Sequence, residues 1–346
     1  MTSSDAQNHP TLPTGEQYEI SGGGYCAVVT EQGATLRALS HDGVDLIVPT
    51  AVDAVPTDAR GQQLLPWPNR VRDGRYVFDG QPQQLAINEV ERGNAIHGLA
   101  RWAMWRLVEL GQDTVRQRLV IAPQDGWPGM LEALLTHHLD AGGMTVHLAA
   151  RNVGTTAVPF GYAAHPYLVM TGSIDQWQVS SPFRTCTVVD ERLLPVEVAT
   201  VQGPTDLSDT TLGERHLDTA FTGGPGGSWQ IQLRCGAERR VLWADEHFGW
   251  VQIYTPDDRS SLAVEPMTCG PDAFNEGPTH DSMLRLEPGS GVEMRWGIHL
   301  WGAYDLRFGT QQYAGAMARD VSPGPRGQAA HMRFDCFAPP AWDDPV

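Results

Sequence analysis

Residues 292–300 alternate. Val292, Met294, Trp296, Ile298 and Leu300 are apolar, and Glu293, Arg295, Gly297 and His299 between them are polar or small. Successive side chains of an extended strand point to opposite faces, so a period of two collects the apolar groups on one face. Such a face is stable only against another apolar layer, which excludes an isolated ribbon. Shorter runs of the same period recur at 115–120, 144–148, 229–233 and 249–254, each bounded by the turn-forming residues Gly, Pro, Asp or Asn. No long segment carries a helical period, and 37 Gly and 25 Pro punctuate the chain. The expected fold is all-β: a large antiparallel β-sandwich of many strands. The 346 residues, 41% of them hydrophobic, supply enough material for an extensive core, and a single sandwich can run well past ordinary domain size.

From 15 to 302 there is no repeat, heptad or linker, so this stretch is expected to form one domain. Residues 1–14 read as a loose lead-in. Beyond Trp301 the alternation fades and Pro323, Pro325, Pro339, Pro340 and Pro345 interrupt the chain, so 303–346 reads as a C-terminal extension of unassigned role. The glycine-rich 222–228 lacks the Lys-Ser/Thr and helix start of a phosphate-cradling loop and reads as a flexible connection between strands. Lys+Arg 24 against Asp+Glu 41 leaves a net charge of −17, which disfavours nucleic acid, anionic lipid and polyanions as partners. Cys26, Cys186, Cys235, Cys269 and Cys336 are odd in number, widely spaced and without a CxxC pair, the pattern of reduced thiols rather than a disulfide framework or zinc site. Residues 1–10 have neither a basic nor an apolar leader region, and no apolar run approaches the roughly 18 residues of a membrane helix. The expectation is a soluble cytoplasmic protein.

Four phrases are candidates for carrying chemistry. Glu265 follows Ser261 and the apolar run 262–264 and precedes Pro266, which lacks an N–H and tends to close a strand. A half-desolvated carboxylate at a strand mouth has its pKa raised toward that of a working general base; the bland reading is a solvated strand-end glutamate. His97 beside Gly98, and His165 between Ala164 and Pro166, place imidazoles on bent backbone and are suited to proton transfer, or are two satisfied histidines among 12. The segment 65–74 sets Trp67, Asn69, Arg70 and Arg72 close together, either as an aromatic face and fixed donors for a sugar or as a loop with a structural Trp and a paired Arg. A metal site finds no support, since His137 and His138 are adjacent and point to opposite strand faces, and no HExxH is present. There is no GxSxG serine elbow, and Cys269 reads most simply as a small buried residue.

Eight phrases stand in one order: 66–70 (Pro-Trp-Pro-Asn-Arg), 73–80 (Asp-Gly-Arg-Tyr-Val-Phe-Asp-Gly), 95–98 (Ala-Ile-His-Gly), 126–128 (Gly-Trp-Pro), 159–161 (Pro-Phe-Gly), 165–167 (His-Pro-Tyr), 217–221 (Leu-Asp-Thr-Ala-Phe) and 264–268 (Val-Glu-Pro-Met-Thr). In these the chain, from about Tyr18 to Trp301, resembles the aldose 1-epimerases, or galactose mutarotases. The resemblance implies a galactose mutarotase-like supersandwich and interconversion of the α and β anomers of free hexoses such as galactose or glucose, without metal or organic cofactor. It implies Glu265 as the general base at the C1 hydroxyl and His165 as the general acid at the ring oxygen. It further implies His97 near that oxygen and Arg70 and Asp218 on sugar hydroxyls, with Asn69 either binding sugar or holding the loop. The implied partner is a small-molecule sugar; oligomeric state is not legible. Two alternatives stay open. One is a hexose-6-phosphate 1-epimerase in which Arg70, Arg72 and Arg75 clamp the phosphate. The other is a non-catalytic sugar-binding or regulatory module on the same fold.

Overall fold

The computed structural model describes residues 12–300. The 303–346 extension lies outside the described residues, as does all of the lead-in except 12–14. Among the described residues there is no α-helix, only three single-turn 3₁₀ segments, and the rest is strands and turns. Two large sheets carry the fold. The first runs, neighbour to neighbour, through Arg106–Leu110, Thr114–Ile121, Leu131–Asp140, Gly143–Asn152, Gly291–His299, Glu238–Ala244, Trp229–Cys235, Gln178–Ser180 and Ser208–Thr211. The second runs through Pro195–Thr200, Thr185–Val189, Asp218–Thr222, Trp250–Tyr254, Leu262–Met267, Ala163–Ala164 and Gln63–Leu64, with Tyr167–Leu168 also paired to Leu262–Met267. The pairings are antiparallel, as the hairpin-spaced alternation requires. A four-stranded meander, Gln17–Gly22, Tyr25–Thr30, Leu36–His41 and Val44–Asp45, packs against the first sheet near Leu131–Asp140. One continuous apolar core includes fully buried Trp105, Trp127, Trp177 and Trp296. Each such ring contributes on the order of 2–3 kcal/mol by leaving water.

The alternation that defined 292–300 holds for Met294, Trp296 and Ile298, which face the core, while Glu293 and Arg295 face outward. It breaks at Gly297 because Trp243 lies across this position: a Cβ there would sit 2.6 Å from Trp243 Nε1 and 2.2 Å from Met144 O. The run 249–254 departs further. Its stretch 250–253 is buried on both faces, in keeping with its central place in the second sheet. The glycine-rich 222–228 does connect two strands, Asp218–Thr222 and Trp229–Cys235.

Pro266 does not close its strand. Leu262–Met267 runs through it, all six residues buried, with Val251 opposite Pro266. The physical reason lies in the neighbouring strand, which is broken at His165–Pro166. Val264 N–H donates to Pro166 O and Thr268 N–H to Tyr162 O, so alternation puts the nitrogen of Pro266 on that same side. There the break leaves no ladder bond for it to supply. Glu265 is therefore not at a strand mouth. It projects from the interior of a central strand.

Candidate active site

The strands Asp218–Thr222, Trp250–Tyr254 and Leu262–Met267 lie side by side. Gln252 is opposite Glu265, and Asp218 is diagonal to Gln252, whose direct partner is Ala220. Residues so related share a face, which places Asp218, Gln252 and Glu265 in one polar row. Gln252 Nε2 donates to Asp218 Oδ1, and Tyr167, opposite Ala263, extends the same face.

His165 occupies the break between Ala163–Ala164 and Tyr167–Leu168. Its N–H donates to Gln62 O at 3.2 Å and its carbonyl accepts from Gly61 N–H at 2.9 Å. The ring stacks on Tyr167 with centroids 5.2 Å apart. This leaves His165 Nε2 3.3 Å from Glu265 Oε1, with the two residues only 5% and 3% exposed.

His97 enters from the opposing loops. Its N–H donates to Asn69 O at 2.9 Å, and its ring meets His165 edge-on at 5.4 Å. Asn69 (φ 51°) and His97 (φ 66°) are both left-handed, a conformation that costs a non-glycine residue on the order of 1–3 kcal/mol. The bend at Gly98 (φ 68°) allows no side chain, since a Cβ would lie 2.3 Å from Leu65 O. Asn69 Oδ1 accepts from Arg70 N–H at 2.9 Å and from Arg70 Nη1 at 3.4 Å. Arg70 Nη2 lies 3.8 Å from Asp218 Oδ2. The structure thus brings together all six residues named from sequence, His97, His165, Glu265, Arg70, Asp218 and Asn69. The Asn69 side chain holds Arg70 and its loop.

Burial dominates the electrostatics. It raises Glu265 well above the ordinary carboxylate range; the nearby Asp218 charge adds to the rise and Arg70 opposes it. Burial lowers His165 to about 3, against a smaller opposing backbone hydrogen bond, and Arg101 and Arg60 push the same way. His97 is held well below its usual range by burial first, then by His165, Arg101 and Arg70. Desolvation thus favours the neutral form of both members of the touching pair, while their contact allows one proton to be held between them. A pair that carries a single proton can deliver it from one member while the other accepts.

Two residues escaped the sequence reading. Gln252 is 3% exposed and its Oε1 has no protein partner, an acceptor held in the row between Asp218 and Glu265. Its signal was a glutamine in the middle of the apolar run 250–253. Glu89 binds the Arg70 guanidinium, with Nε 3.1 Å from both carboxylate oxygens and Nη2 3.0 Å from Oε1. Nothing in its local sequence marks it.

Other expectations separate. Arg72 pairs with Asp272 at 3.3 Å and Arg75 binds Gln84 Oε1 at 2.8 Å, so the three arginines do not converge into a phosphate clamp. Trp67 packs edge-on to Phe274 in the core, so it is not a sugar platform. His137 is buried and His138 faces out. Cys26, Cys186, Cys235 and Cys269 are free thiols, and Cys269 is buried. Surface hollows of ≈ 340 Å³ beside Arg75–Phe78 and ≈ 320 Å³ along Glu132, Arg151 and Gly291 are lined by none of the site residues.

The all-β sandwich thus holds a buried carboxylate and imidazole in contact, ringed by an arginine, an aspartate and a glutamine. The chain belongs to the aldose 1-epimerase family, whose model matches residues 16–297. It is 32% identical over 293 residues to the Escherichia coli K12 protein YihR, itself uncharacterised, a match that spans 83% of this chain and 94% of that one. It is also 32% identical to human galactose mutarotase over 143 residues, 39% of this chain and 41% of the human protein. Among solved structures, a galactose mutarotase-like protein from Clostridium acetobutylicum superposes with TM-score 0.73 at 17% identity, covering 82% of this chain and 94% of that one. The galactose 1-epimerase of Lactobacillus acidophilus NCFM does so with TM-score 0.70 at 18% identity, covering 84% and 97%. These two likenesses establish the galactose mutarotase-like fold. Family membership supports a mutarotase-like isomerase acting in carbohydrate metabolism. No helix among the described residues is long and apolar enough to cross a membrane.

Proposed function

We propose that this chain is an aldose 1-epimerase that interconverts the α and β anomers of a free hexose such as galactose or glucose. The observation that carries the reading is the direct 3.3 Å approach of His165 Nε2 to Glu265 Oε1 within a buried row of sugar-compatible donors and acceptors. Ring opening starts from the form in which the pair's proton is on His165 and Glu265 is a carboxylate, the less favoured of the pair's two forms in this buried setting. Glu265 takes the proton of the C1 hydroxyl, the C1–O1 bond becomes a carbonyl, and the C1–O5 bond breaks. Its electron pair goes to O5, which takes the proton from His165. The aldehyde turns about C1–C2, and the same steps in reverse close the other anomer.

Ring opening ends with neutral His165 and protonated Glu265, the form that burial favours. The site therefore supports the open-chain intermediate without changing its proton count. Arg70 and the Asp218–Gln252 pair supply donors and an acceptor to hydroxyls away from C1, and His97 faces the ring-oxygen side through its contact with His165. Arg72 and Arg75 are committed elsewhere, which favours an uncharged hexose over its 6-phosphate. Polarimetry of fresh α-glucose and α-galactose tests the proposal: the wild-type chain accelerates equilibration, and Glu265→Gln abolishes this while keeping sugar affinity within about tenfold. Near-normal rates in the variant would remove Glu265 from its role. Sugar binding without acceleration by the wild type would leave a binding module.

A further inference from the structure

Arg70 faces two carboxylates unequally. Its Nε and Nη2 edge is clamped by Glu89 at 3.0–3.1 Å, while Asp218 stands 3.8 Å away. Glu89 is itself held. Asn94 Nδ2 donates to its Oε2 at 2.8 Å, and the two backbones exchange hydrogen bonds at 3.0 and 3.2 Å. Arg92, on the outer side, reaches Glu89 Oε1 at 3.3 Å. Asn94, fully buried, is fixed in turn by Arg192, whose Nη2 donates to Asn94 Oδ1 at 3.1 Å and whose carbonyl accepts from Nδ2 at 3.2 Å. The chain of contacts runs from a turn that follows the strand Thr185–Val189, through Asn94 and Glu89, to the guanidinium in the site.

We propose that Glu89 is a positioning residue for the sugar site, which aims the Arg70 guanidinium by the bidentate clamp and takes up its positive charge before that charge reaches Glu265. The inference rests on the reading of Arg70 as a sugar-hydroxyl donor and Glu265 as the base. A bidentate carboxylate fixes the plane of a guanidinium as well as its position, and a binding group is only as well placed as the residues behind it. Glu89 is ionised in this setting: burial alone would raise its pKa, but hydrogen bonds from Arg70 and Asn94 and the charges of Arg70 and Arg92 more than offset this. The groups that face Glu265 are His165, Asp218, Arg70 and Tyr167. Arg70 is the cation among them that draws its pKa down, and neutralising Glu89 strengthens that pull.

The test is Glu89→Gln, which preserves shape and removes charge. The plateau of kcat/KM against pH moves to lower pH by about half a unit or more, and the Glu265 carboxyl resonance, assigned by its loss in Glu265→Gln, titrates lower by the same amount in ¹³C NMR. The NMR arm needs no turnover, so it decides the role of Glu89 even if the wild type fails to accelerate anomer exchange, a result that would overturn only the mutarotase reading. Unshifted titration in a folded variant overturns the proposal, whatever happens to the rate. Should Glu89→Gln not fold, Glu89→Asp keeps the charge and shortens the reach: galactose binding by calorimetry weakens about tenfold while Glu265 titrates as in the wild type. Unchanged affinity, or a displaced titration, overturns the proposal in that variant.

Discussion

His137 lies at the centre of Leu131–Asp140, opposite Val115 on one side and Val146 on the other, with no exposed surface and no partner for either ring nitrogen. Burial lowers its pKa to about 3, against roughly 6.5 in an unfolded chain. The unfolded chain takes up a proton as pH falls through the unfolded value, while the folded chain stays neutral until about 3, so stability is lost over that window. At about pH 5 the unfolded imidazole is almost fully protonated and the folded one almost wholly neutral. At about 1.4 kcal/mol per unit, this residue alone costs about 2 kcal/mol between neutral pH and pH 5. The loss grows to about 4 kcal/mol near the folded pKa. The perturbation is His137→Leu, which offers a similar volume with nothing to titrate. Urea unfolding of both proteins at about pH 7.5 and pH 5 gives a double difference from which the common contributions of His97, His165 and Glu265 cancel. The variant is expected to lose about 2 kcal/mol less than the wild type over that interval. It should also be more stable at neutral pH by about 1–3 kcal/mol, since two unpaired polar atoms leave the core. Equal losses in the two proteins would refute the reasoning and mean that His137 is protonated or hydrogen-bonded in the folded state.

Two further outcomes are expected at the site. Gly98→Ala sets a Cβ 2.3 Å from Leu65 O at a left-handed φ, so thermal melts should show a loss of about 2 kcal/mol or more. The exchange rate should fall further than stability alone explains, because His97 is displaced; an unchanged melt and rate would mean the 65–70 loop yields freely. Asp218→Asn removes the carboxylate that faces Arg70 and accepts from Gln252, so the KM for galactose should rise about ten- to a hundredfold with a smaller change in kcat. A fall in kcat alone would place Asp218 in the proton-transfer step instead.

The strands were legible where one face is buried and the other wet. Residues 115–120, 144–148 and 229–233 satisfied that condition, and their alternation located Thr114–Ile121, Gly143–Asn152 and Trp229–Cys235. Periodicity lost meaning where both faces are covered. Residues 250–253 and Leu262–Met267 are buried throughout, so their sequences record only that every side chain must be accommodated. For the same reason Pro266 misled: the rule that proline closes a strand concerns a missing donor, and it has no force beside a neighbour whose own ladder is broken.

That break explains both what could be read of the site and what could not. His165 reaches Glu265 because the chain leaves the sheet for two residues and presents an imidazole edge to the next strand's interior. The local phrases at 95–98, 165–167 and 264–268 carried the residues at such irregular or enclosed positions, where residue type is tightly constrained. Gln252 and Glu89 act through pairing across distance instead. Gln252 matters because a two-residue diagonal puts it beside Asp218, and Glu89 because a turn 19 residues beyond Arg70 folds back on the guanidinium. Glu89 leaves no mark at its own position, since any turn can carry a glutamate, and Gln252 leaves only that of an amide inside an apolar run. The proposed proton-transfer pair is thus specified by local sequence, whereas the charge balance proposed to tune it is set by topology. Two chains that share the His165 and Glu265 phrases could therefore differ in pH optimum through the residue at the position of Glu89 alone.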